Sequence, residues 1–577
     1  MSTSRPRTII VGLDGVPLKL LRPWMESGAL PTMQRFLRQG VVGDLRSTMP
    51  PTSGPSWSSF MTGKSPGKTG IYDFLYRAEG SYHFPPVNAS LRDGRELWEI
   101  LSKAGYKVGV FNVPLTYPVK PVNGLMISGW MTPYTAKDYV YPPELGPELQ
   151  QAIGNYRIYP TATYSRGRAE QFLRASIELL EMRTRTALHL LQREGWDFFM
   201  TVIFDTDRVL HQLWHLLDPE HPWHNARRAK PRRGGAPYPP RAPYPPPYPP
   251  ESGHDIVLKY FCHVDDSLAR LFAAAGDDAL KIVMSDHGMG SAHNFVVLNN
   301  WLLANGFLRL RRAPLTAFKY GLFKAGLTLR NVHKVANWLG LAKHVEYKGL
   351  YSTDWLLKLA FLSFNDVDWS QSVAYSFGRH YGPIYLNVKG REPQGIVEPG
   401  DEYERVREQV IAAAMQFQHP RTGRNMVGRV LRREEVYDGP HLEQAPDLIL
   451  IPADPRDIFF GLADFGSNQM VDTVYRYSGM HRDDGMLMMM GPQVAAGAPV
   501  EGAAITDIAP TVLHTMDLPI PNDMDGKPLL DLLSKACGGR APRYVDAKGN
   551  GDRPQAQYTA QEEKQIVERL RGLGYLG

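Results

Sequence analysis

Short, continuously apolar runs recur along the chain and alternate with amphipathic stretches that favour helices. The runs are Thr8–Leu13, Tyr106–Pro114, Trp196–Phe204, Ala279–Ser285 and Asp447–Ile451, and helices are predicted at Leu97–Ala104 and Arg168–Glu194. Apolarity without alternation is typical of strands covered on both faces, as in a parallel sheet. We therefore predict an α/β fold, with a doubly wound, mostly parallel central sheet and helices on both of its faces.

Two segments interrupt this alternation. Residues 219–252 change abruptly to Pro, Tyr, Arg and Gly, which predicts a polyproline-type surface loop. Residues 314–370 have a helical period, which predicts a helical insertion that forms a cap, with contact to a membrane surface as an alternative. The catalytic core is then predicted to comprise residues 1–313 and 371–535, followed by a C-terminal tail over 536–577. One side of the predicted cap is basic and carries Lys319, Lys324, Arg330, Lys334 and Lys343.

Charge and cysteine content exclude several classes of protein. The 65 Lys and Arg residues exceed the 59 Asp and Glu residues by too little to predict nucleic acid as a specific partner. Only Cys262 and Cys537 are present, so neither a disulfide framework nor a cysteine-based zinc site can be built. No apolar stretch is long enough for a membrane span or a secretory signal. We therefore expect a cytoplasmic protein, and the sequence indicates no oligomeric state.

Aspartates follow three of the apolar runs. Asp14 comes directly after the first run, Asp205 and Asp207 follow the run that ends at Phe204, and Asp286 follows Ser285. Functional groups gather beyond the carboxyl ends of parallel strands, so these carboxylates are expected to share one crevice. Because neighbouring carboxylates repel each other and partly protonate, the pattern predicts divalent cations there.

Histidines stand at the same places and turn the charge cluster into a predicted ligand set. Asp207 and His211 are spaced i and i+4, which puts both on one face of a helix. Asp286 and His287 form a second pair, and His481 lies in a glycine-containing loop before another apolar run. Mixed imidazole and carboxylate donors suit zinc, manganese or iron better than calcium or magnesium.

Ser53 is predicted at the N-terminus of a helix. Pro55 suits the first helical turn and Gly63 suits a helix end, so Ser53 is expected just outside the helix, where free N–H groups attract phosphate. A serine that only caps the helix is the alternative interpretation. His215, one turn beyond His211, is an alternative metal ligand that we rank below His481, and we expect it to pack against the site instead.

In combination and in order, these motifs resemble the alkaline phosphatase superfamily, and within it the type I phosphodiesterase and nucleotide pyrophosphatase group. The matching motifs are Gly12-Leu-Asp14-Gly15, Pro51-Thr-Ser53-Gly-Pro-Ser-Trp57 with Thr62-Gly63-Lys64, Asp207-x-x-x-His211, Ser285-Asp286-His287-Gly288-Met289-Gly290 and Gly479-x-His481. Residues 505–513 and 521–529 also resemble the C-terminal core segment of the superfamily.

The resemblance implies a set of roles at a two-metal site. It implies that one divalent ion lies among Asp14, Ser53, Asp286 and His287, and that a second is held by Asp207, His211 and His481. It also implies that Ser53 is the nucleophile and forms a phosphoseryl intermediate that water hydrolyses. Two divalent cations would balance three aspartates and a serine alkoxide. The expected protein is a metal-dependent phosphodiesterase that acts on a small-molecule phosphate ester, with zinc favoured and manganese or iron as alternatives.

The sequence departs from the group near the nucleophile. Nucleotide pyrophosphatases typically carry an Asn near the helix of the nucleophile that hydrogen-bonds a phosphate oxygen, whereas Gly54-Pro-Ser-Trp57 follows Ser53 here. The sequence therefore does not identify the leaving group, and nucleotide, phospholipid headgroup, glycan phosphate and phosphonate esters are alternative substrates. A positive side chain is expected to replace the missing donor, and the residues predicted to bind substrate in this way are Lys64, Arg208 and Arg379.

Three other functions compete with this one. A sulfatase of the same superfamily is disfavoured because Trp57 stands where sulfatases require arginine and because Asp14-Gly15 lacks their paired aspartates. A phosphomonoesterase is an open alternative, whereas a phosphotransferase similar to phosphoglycerate mutase would need a long insertion that is not evident. The non-enzymatic alternative is a catalytically inactive protein that binds a phosphorylated ligand, and the complete set of predicted metal ligands argues against it.

Overall fold

The computed structural model of the protein describes residues 5–160, 164, 168–193, 195–224, 253–328, 330–332, 335, 360–461, 465–547 and 557–572. Most of the predicted proline-rich loop, residues 225–252, lies outside the described residues. The same holds for residues 336–359 of the predicted cap.

Strands are distributed along the whole described chain. In order they are β1 Thr8–Leu13, β2 Gly40–Arg46, β3 Val108–Val113, β4 Gly124–Ser128, β5 Val140–Tyr141, β6 Phe198–Ile203, β7 Leu280–Met284, β8 Gly288–Ser291, β9 Asn294–Val297, β10 Ala374–Ser376, β11 Gly378–His380, β12 Gly382–Leu386, β13 Val427–Arg432, β14 Leu448–Pro452, β15 Asp457–Gly461, β16 Val471–Thr473, β17 Gly479–Arg482, β18 Asp484–Met490, β19 Ile520–Pro521 and β20 Tyr544–Val545.

Helices connect most of these strands. In order they are α1 Leu18–Glu26, α2 Pro31–Gln39, α3 Ser53–Thr62, α4 Pro66–Thr69, α5 Leu97–Lys103, α6 Leu145–Ala152, α7 Ala169–Gln192, α8 Asp205–Leu217, α9 Gly253–Ala275, α10 Leu298–Ala304, α11 Pro314–Lys324, α12 Asp401–Met415, α13 Arg433–Val436, α14 Ile508–Thr515, α15 Lys535–Gly538 and α16 Ala560–Gly572. The predicted helices at 97–104 and 168–194 correspond to α5 and α7.

The largest sheet has eight strands in the order β2-β18-β7-β1-β6-β3-β4-β5. Its centre is parallel, because β1 pairs in parallel with β6 and β7, and β3 pairs in parallel with β6 and β4. Antiparallel strands close both edges, with β18 and β2 on one side and β5 on the other. The predicted α/β fold with a mostly parallel central sheet is confirmed.

Both faces of this sheet are covered, which explains why its strands lack alternation. On β1, Ile9, Val11 and Leu13 belong to one buried core, to which α1, α2, α7, α8 and α9 contribute. Ile10 belongs to a second core, built with α3, α5 and α14. Every residue of β1 is buried, as the unbroken apolar run predicts.

The chain divides into two compact units. Within the described residues, the first comprises Met1–Phe74, Val87–Ser291 and Tyr477–Glu562 and contains the eight-stranded sheet. The second comprises Leu75–Pro86, Ala292–Arg476 and Glu563–Gly577 and contains two four-stranded sheets, in the orders β10-β12-β14-β13 and β11-β15-β9-β16. The predicted division into core, cap and tail stays a prediction.

The run Asp447–Ile451 does not belong to the parallel sheet, so that part of the prediction is wrong. It forms β14 in the second unit, where both of its partners, β12 and β13, run antiparallel to it. An unbroken apolar run reports that a strand is buried, but it carries no information on the direction of its neighbours. In the described part of the chain, no helix combines the length and apolarity needed to cross a membrane.

Candidate metal centre

Three neighbouring strands of the central sheet deliver carboxylates to one place. Asp14 follows β1, Asp286 follows β7, and Asp207 lies in the first turn of α8, directly after β6. Since β1 lies between β6 and β7, the three side chains leave adjacent strand ends at the same edge. All three aspartates have no exposed surface. The sequence-based expectation of a shared crevice agrees with this placement.

Gly15 lets the strand ends approach each other closely. Its backbone N–H donates a hydrogen bond to Asp286 Oδ1 at 3.1 Å. Its φ is 71°, in the left-handed region that favours glycine. A Cβ at this position would lie 2.7 Å from Asp207 Oδ1. The glycine therefore permits both the turn and the close approach of the carboxylates.

Ser53 opens α3 and points at the same centre. Its Oγ lies 3.2 Å from Asp14 Oδ1 and 3.1 Å from His287 Nε2, and the residue is fully buried. Ser53 is the first helical residue and Thr52 occupies the cap position, whereas the sequence predicts Ser53 one residue outside the helix. The difference is small, but it means that the Ser53 hydroxyl faces the carboxylates and not its own backbone.

Three imidazoles are oriented by backbone carbonyls. Because a carbonyl can only accept, each Nδ1 must donate: His211 to Gly479 O at 2.7 Å, His287 to Gly288 O at 3.0 Å and His481 to Pro51 O at 2.9 Å. A neutral imidazole that donates through Nδ1 leaves a lone pair on Nε2. All three Nε2 atoms are therefore acceptors, which is the form in which histidine binds a metal.

The lone pairs of two of these histidines face each other. Nε2 of His211 and Nε2 of His481 are 2.9 Å apart. They lie 3.2 Å and 3.3 Å from Asp207 Oδ1. Two imidazole lone pairs and a carboxylate oxygen around one point repel each other, and a cation coordinated by all three turns that repulsion into attraction.

Burial and mutual charge perturb the titration of the aspartates. Burial, reinforced by the charges of Asp286 and Asp207, raises the pKa of Asp14 well above its ordinary value. Burial, together with the charge of Asp207, raises the pKa of Asp286 to about 8. Burial also acts to raise the pKa of Asp207, but when His211 and His481 carry a proton on Nε2, their charge and hydrogen bonds override burial and hold that pKa well below its ordinary value. Of the three aspartates, Asp207 is therefore the one whose pKa the neighbouring side chains lower overall.

The donors form two groups that could hold metal ions. In one, ligand atoms of Asp14, Asp286 and His287 lie within 4.8 Å of one another, and in the other the same holds for Asp207, His287 and His481. Within the described chain, Asp286 Oδ2 is buried and accepts no hydrogen bond. A buried carboxylate oxygen without a donor, among acceptor imidazoles, fits a divalent cation.

Trp57 is a part of the site that the sequence does not identify. Its Nε1 donates a hydrogen bond to Asp14 Oδ2 at 2.8 Å, and its ring is fully buried. The ring packs directly over Gly12, where a Cβ would lie 2.4 Å from it. The spacing i and i+4 between Ser53 and Trp57 on one helix is the signal that could have linked them.

The three cations predicted to bind substrate lie in different surroundings. Lys64 forms an ion pair with Asp523. Arg208 lies 3.3 Å from Asp205 and over the ring of Phe172. Their role in substrate binding stays a prediction. Arg379 belongs to β11 of the second unit, where its guanidinium stacks over the ring of Phe460.

Comparisons with known proteins identify a matching family and similar solved structures. The sequence model of the family described as type I phosphodiesterase/nucleotide pyrophosphatase matches residues 8–460. Murine ectonucleotide pyrophosphatase/phosphodiesterase 5, inactive and in complex with AMP, has a similar structure, with a TM-score of 0.50 at 12% identity over 92% of this chain and 100% of that chain. Phosphonoacetate hydrolase from Sinorhizobium meliloti, in complex with phosphonoformate, has a TM-score of 0.49 at 14% identity over 88% of this chain and 94% of that chain. No curated protein sequence matches this chain.

Proposed function

The chain belongs to the type I phosphodiesterase/nucleotide pyrophosphatase family and is a hydrolase of phosphoric esters, and we propose that it cleaves a small-molecule phosphodiester with Ser53 as the nucleophile. The substrate is proposed to be a diester because the family model is that of phosphodiesterases. The products would be a phosphomonoester and an alcohol.

The position of Ser53 Oγ is the observation that carries this proposal. The hydroxyl lies within hydrogen-bond distance of both Asp14 Oδ1 and His287 Nε2. It also stands at the N-terminus of α3, a ten-residue helix whose first backbone N–H groups and dipole favour a phosphoryl group. A nucleophile, an anion-binding backbone and a set of metal ligands therefore coincide at one residue.

We propose that two divalent ions bind at this place. One would be held by Asp14, Ser53, Asp286 and His287, and the other by Asp207, His211 and His481. When bound, such ions supply Lewis acidity that lowers the pKa of the serine hydroxyl and offsets the charge of the phosphoryl oxygens. Zinc is the proposed ion, with manganese or iron as alternatives, because imidazole and carboxylate ligands are mixed.

The protein groups carry out two successive displacements. In the first, Ser53 Oγ forms a bond to phosphorus while the bond from phosphorus to the leaving oxygen breaks on the opposite side, and the leaving oxygen takes up a proton to become the alcohol. In the second, a water oxygen bonds to phosphorus, the bond to Ser53 Oγ breaks, and the serine hydroxyl is restored. Trp57 holds Asp14 in place through both steps, since its N–H is bound to Asp14 Oδ2.

We also propose a cytoplasmic location. The proposal rests on cysteine chemistry, because Cys262 and Cys537 are both free thiols and burial raises the pKa of Cys262 to about 11. A fold in which both cysteines are free suits a reducing compartment.

A substrate panel tests the reaction class. The purified protein is stripped of metal with a chelator, supplied with zinc or manganese, and assayed on bis(p-nitrophenyl) phosphate, p-nitrophenyl phosphate and p-nitrophenyl sulfate. We expect the diester to have the highest kcat/KM. Preference for the monoester or for the sulfate would replace the proposed activity by that of another branch of the superfamily, and binding without turnover would indicate an inactive phospholigand-binding protein.

A pair of variants tests the nucleophile. Ser53→Ala should lower turnover by roughly 10⁴-fold or more while metal content is retained. Ser58→Ala is the matched control, because Ser58 lies on the same helix and its buried Oγ has no hydrogen-bond partner among the described residues. Acid quenching during turnover should yield a phosphorylated Ser53 peptide in mass spectra. A Ser53→Ala protein with the rate of the Ser58→Ala protein would eliminate Ser53 as nucleophile.

A further inference from the structure

Helix α11 in the second unit buries a lysine and exposes two large apolar side chains. Its buried residues are Thr316, Lys319 and Phe323. The Lys319 ammonium lies 2.9 Å from Asp366 Oδ1, so the lysine of this helix is used in an internal ion pair. On the outside, Leu315 is 48% exposed and Phe318 is 60% exposed. A surface helix in water normally has the opposite arrangement.

Further exposed apolar side chains follow the same helix. Leu327 is 38% exposed and Val335 is 53% exposed. Half of the large exposed hydrophobic side chains in the described part of the chain therefore lie between Leu315 and Val335, the others being Tyr134, Met415, Tyr544 and Val545. Scattered exposed hydrophobic residues need no explanation, but Leu315 and Phe318 are spaced i and i+3 and share one face of α11, and a contiguous apolar face marks an interaction surface.

The surroundings of this apolar surface are basic. The sequence has no Asp or Glu between Asp286 and Glu346. Arg309 and Arg312 line an open groove of about 490 Å³ before α11, which also includes Asp368, and both arginines are exposed. Lys324, in the last turn of α11, is exposed as well.

We propose that this apolar and basic surface binds a lipid bilayer that carries anionic headgroups. Leu315 and Phe318 would enter the boundary between headgroups and acyl chains, while Arg309, Arg312 and Lys324 would contact lipid phosphates. A second copy of the chain fits less well, because two such surfaces would bring the same positive charge together. The proposal is independent of the reaction at the metal centre.

This surface differs from the basic side predicted from the sequence. The helical period predicts Lys319 and Arg330 on that side, but both are buried, Lys319 against Asp366 and Arg330 against Asp472. Their partners lie far away in the sequence, so helical periodicity could not reveal them. Lys324 is exposed, as predicted, and Arg309 and Arg312, which the prediction does not include, are exposed as well. The other two lysines of the predicted basic side lie outside the described residues, namely Lys334 and Lys343.

Vesicle sedimentation tests the proposal with the full chain. The protein is mixed with vesicles of phosphatidylcholine alone, or of phosphatidylcholine with one third phosphatidylglycerol, and the bound fraction is measured at low and high salt. The apolar variant combines Leu315→Ser with Phe318→Ser, and the charge variant combines Arg309→Gln with Arg312→Gln. Met415→Ser is the matched control, because Met415 is 44% exposed on α12 of the same unit and lies outside the surface.

We expect the wild-type protein and Met415→Ser to bind the anionic vesicles, and high salt to weaken that binding. The partition coefficient of each double variant into the anionic vesicles should be lower than that of the wild type by about tenfold or more. All variants should hydrolyse a soluble diester at the wild-type rate, which shows that they are folded. Absence of wild-type binding, or equal binding by the apolar variant, would overturn the proposal. A dimer in light scattering that Phe318→Ser dissociates, without vesicle binding, would overturn it in favour of self-association. Vesicle binding by a protein with no turnover would contradict only the proposed function.

Discussion

Asp286 in the first unit and Asp447 in the second are both fully buried aspartates beside a strand, yet their surroundings are opposite. Asp447 Oδ2 accepts hydrogen bonds from Arg391 at 2.6 Å and from the backbone N–H of Leu386 at 2.7 Å, and its Oδ1 accepts one from Tyr403. Asp286 Oδ1 accepts one from Gly15, while in the described chain its Oδ2 accepts none and lies 3.4 Å from Nε2 of His287.

The titration of the two groups follows these surroundings. Burial acts to raise the pKa of Asp447, but the guanidinium groups of Arg391 and Arg433 override it and lower that pKa. Burial and the charge of Asp207 raise the pKa of Asp286 to about 8. A buried charge whose partner belongs to the chain is structural, whereas a buried charge without one indicates that the partner is supplied from outside. For Asp286 we infer that this partner is a metal ion.

Asp286→Asn removes a carboxylate from the metal centre and should abolish most of the activity. The amide cannot neutralise a cation, so metal content should fall and kcat/KM should drop by roughly 10³-fold or more. Metal analysis and diester assays measure both quantities. In the chelated protein the change replaces a carboxyl whose ionisation burial and Asp207 oppose, so the melting temperature should be equal to or above that of the wild type. A chelated variant that is clearly less stable would assign Asp286 a structural role.

Asp447→Asn should show the opposite pattern. Breaking a buried ion pair at one partner leaves Arg391 uncompensated, so the free energy of unfolding should fall by about 3–5 kcal/mol. Denaturant titration measures this loss, and metal content should not change. Because the folded pKa of Asp447 is below its ordinary value, its stabilisation is present above that value and disappears as pH falls through the folded pKa. The variant should therefore lose less stability in acid than the wild type, and an equal loss would contradict the assignment.

Trp57→Phe removes a single hydrogen bond from Asp14, one of the aspartates of the metal centre. Loss of the Nε1 donor leaves Asp14 less well oriented, so metal affinity or kcat/KM should fall by about 10- to 100-fold. Trp98→Phe is the matched control, because Trp98 Nε1 donates to Glu96 at the same 2.8 Å within a buried ion-pair cluster. The control should lose stability but keep its metal. Equal metal affinity in both variants would show that Trp57 only fills space.

The convergence of Asp14, Asp207 and Asp286 can be predicted from the sequence because it follows from one rule. The carboxyl ends of neighbouring parallel strands lie at the same edge of a sheet. The fold class follows from the same apolar runs. Contacts that depend on packing between distant segments are not predictable in this way. The bond from Trp57 to Asp14 needs α3 to lie directly over Gly12, and the burial of Lys319 needs Asp366 to arrive from another part of the chain.

Lys64 is a residue that the sequence predicts to bind substrate, and its substitution should change kcat/KM very little. Its ammonium is paired with Asp523, so its charge is already used within the first unit. Lys64→Gln should therefore change kcat/KM on the diester by less than about threefold, as should Lys68→Gln, whose lysine is paired with Asp525. Steady-state kinetics on both variants gives the comparison. If Lys64→Gln alone raises KM about tenfold or more, the lysine leaves Asp523 and binds the substrate phosphate. Lys64 would then resemble Asp286, because the partner of its buried charge would be a bound ligand.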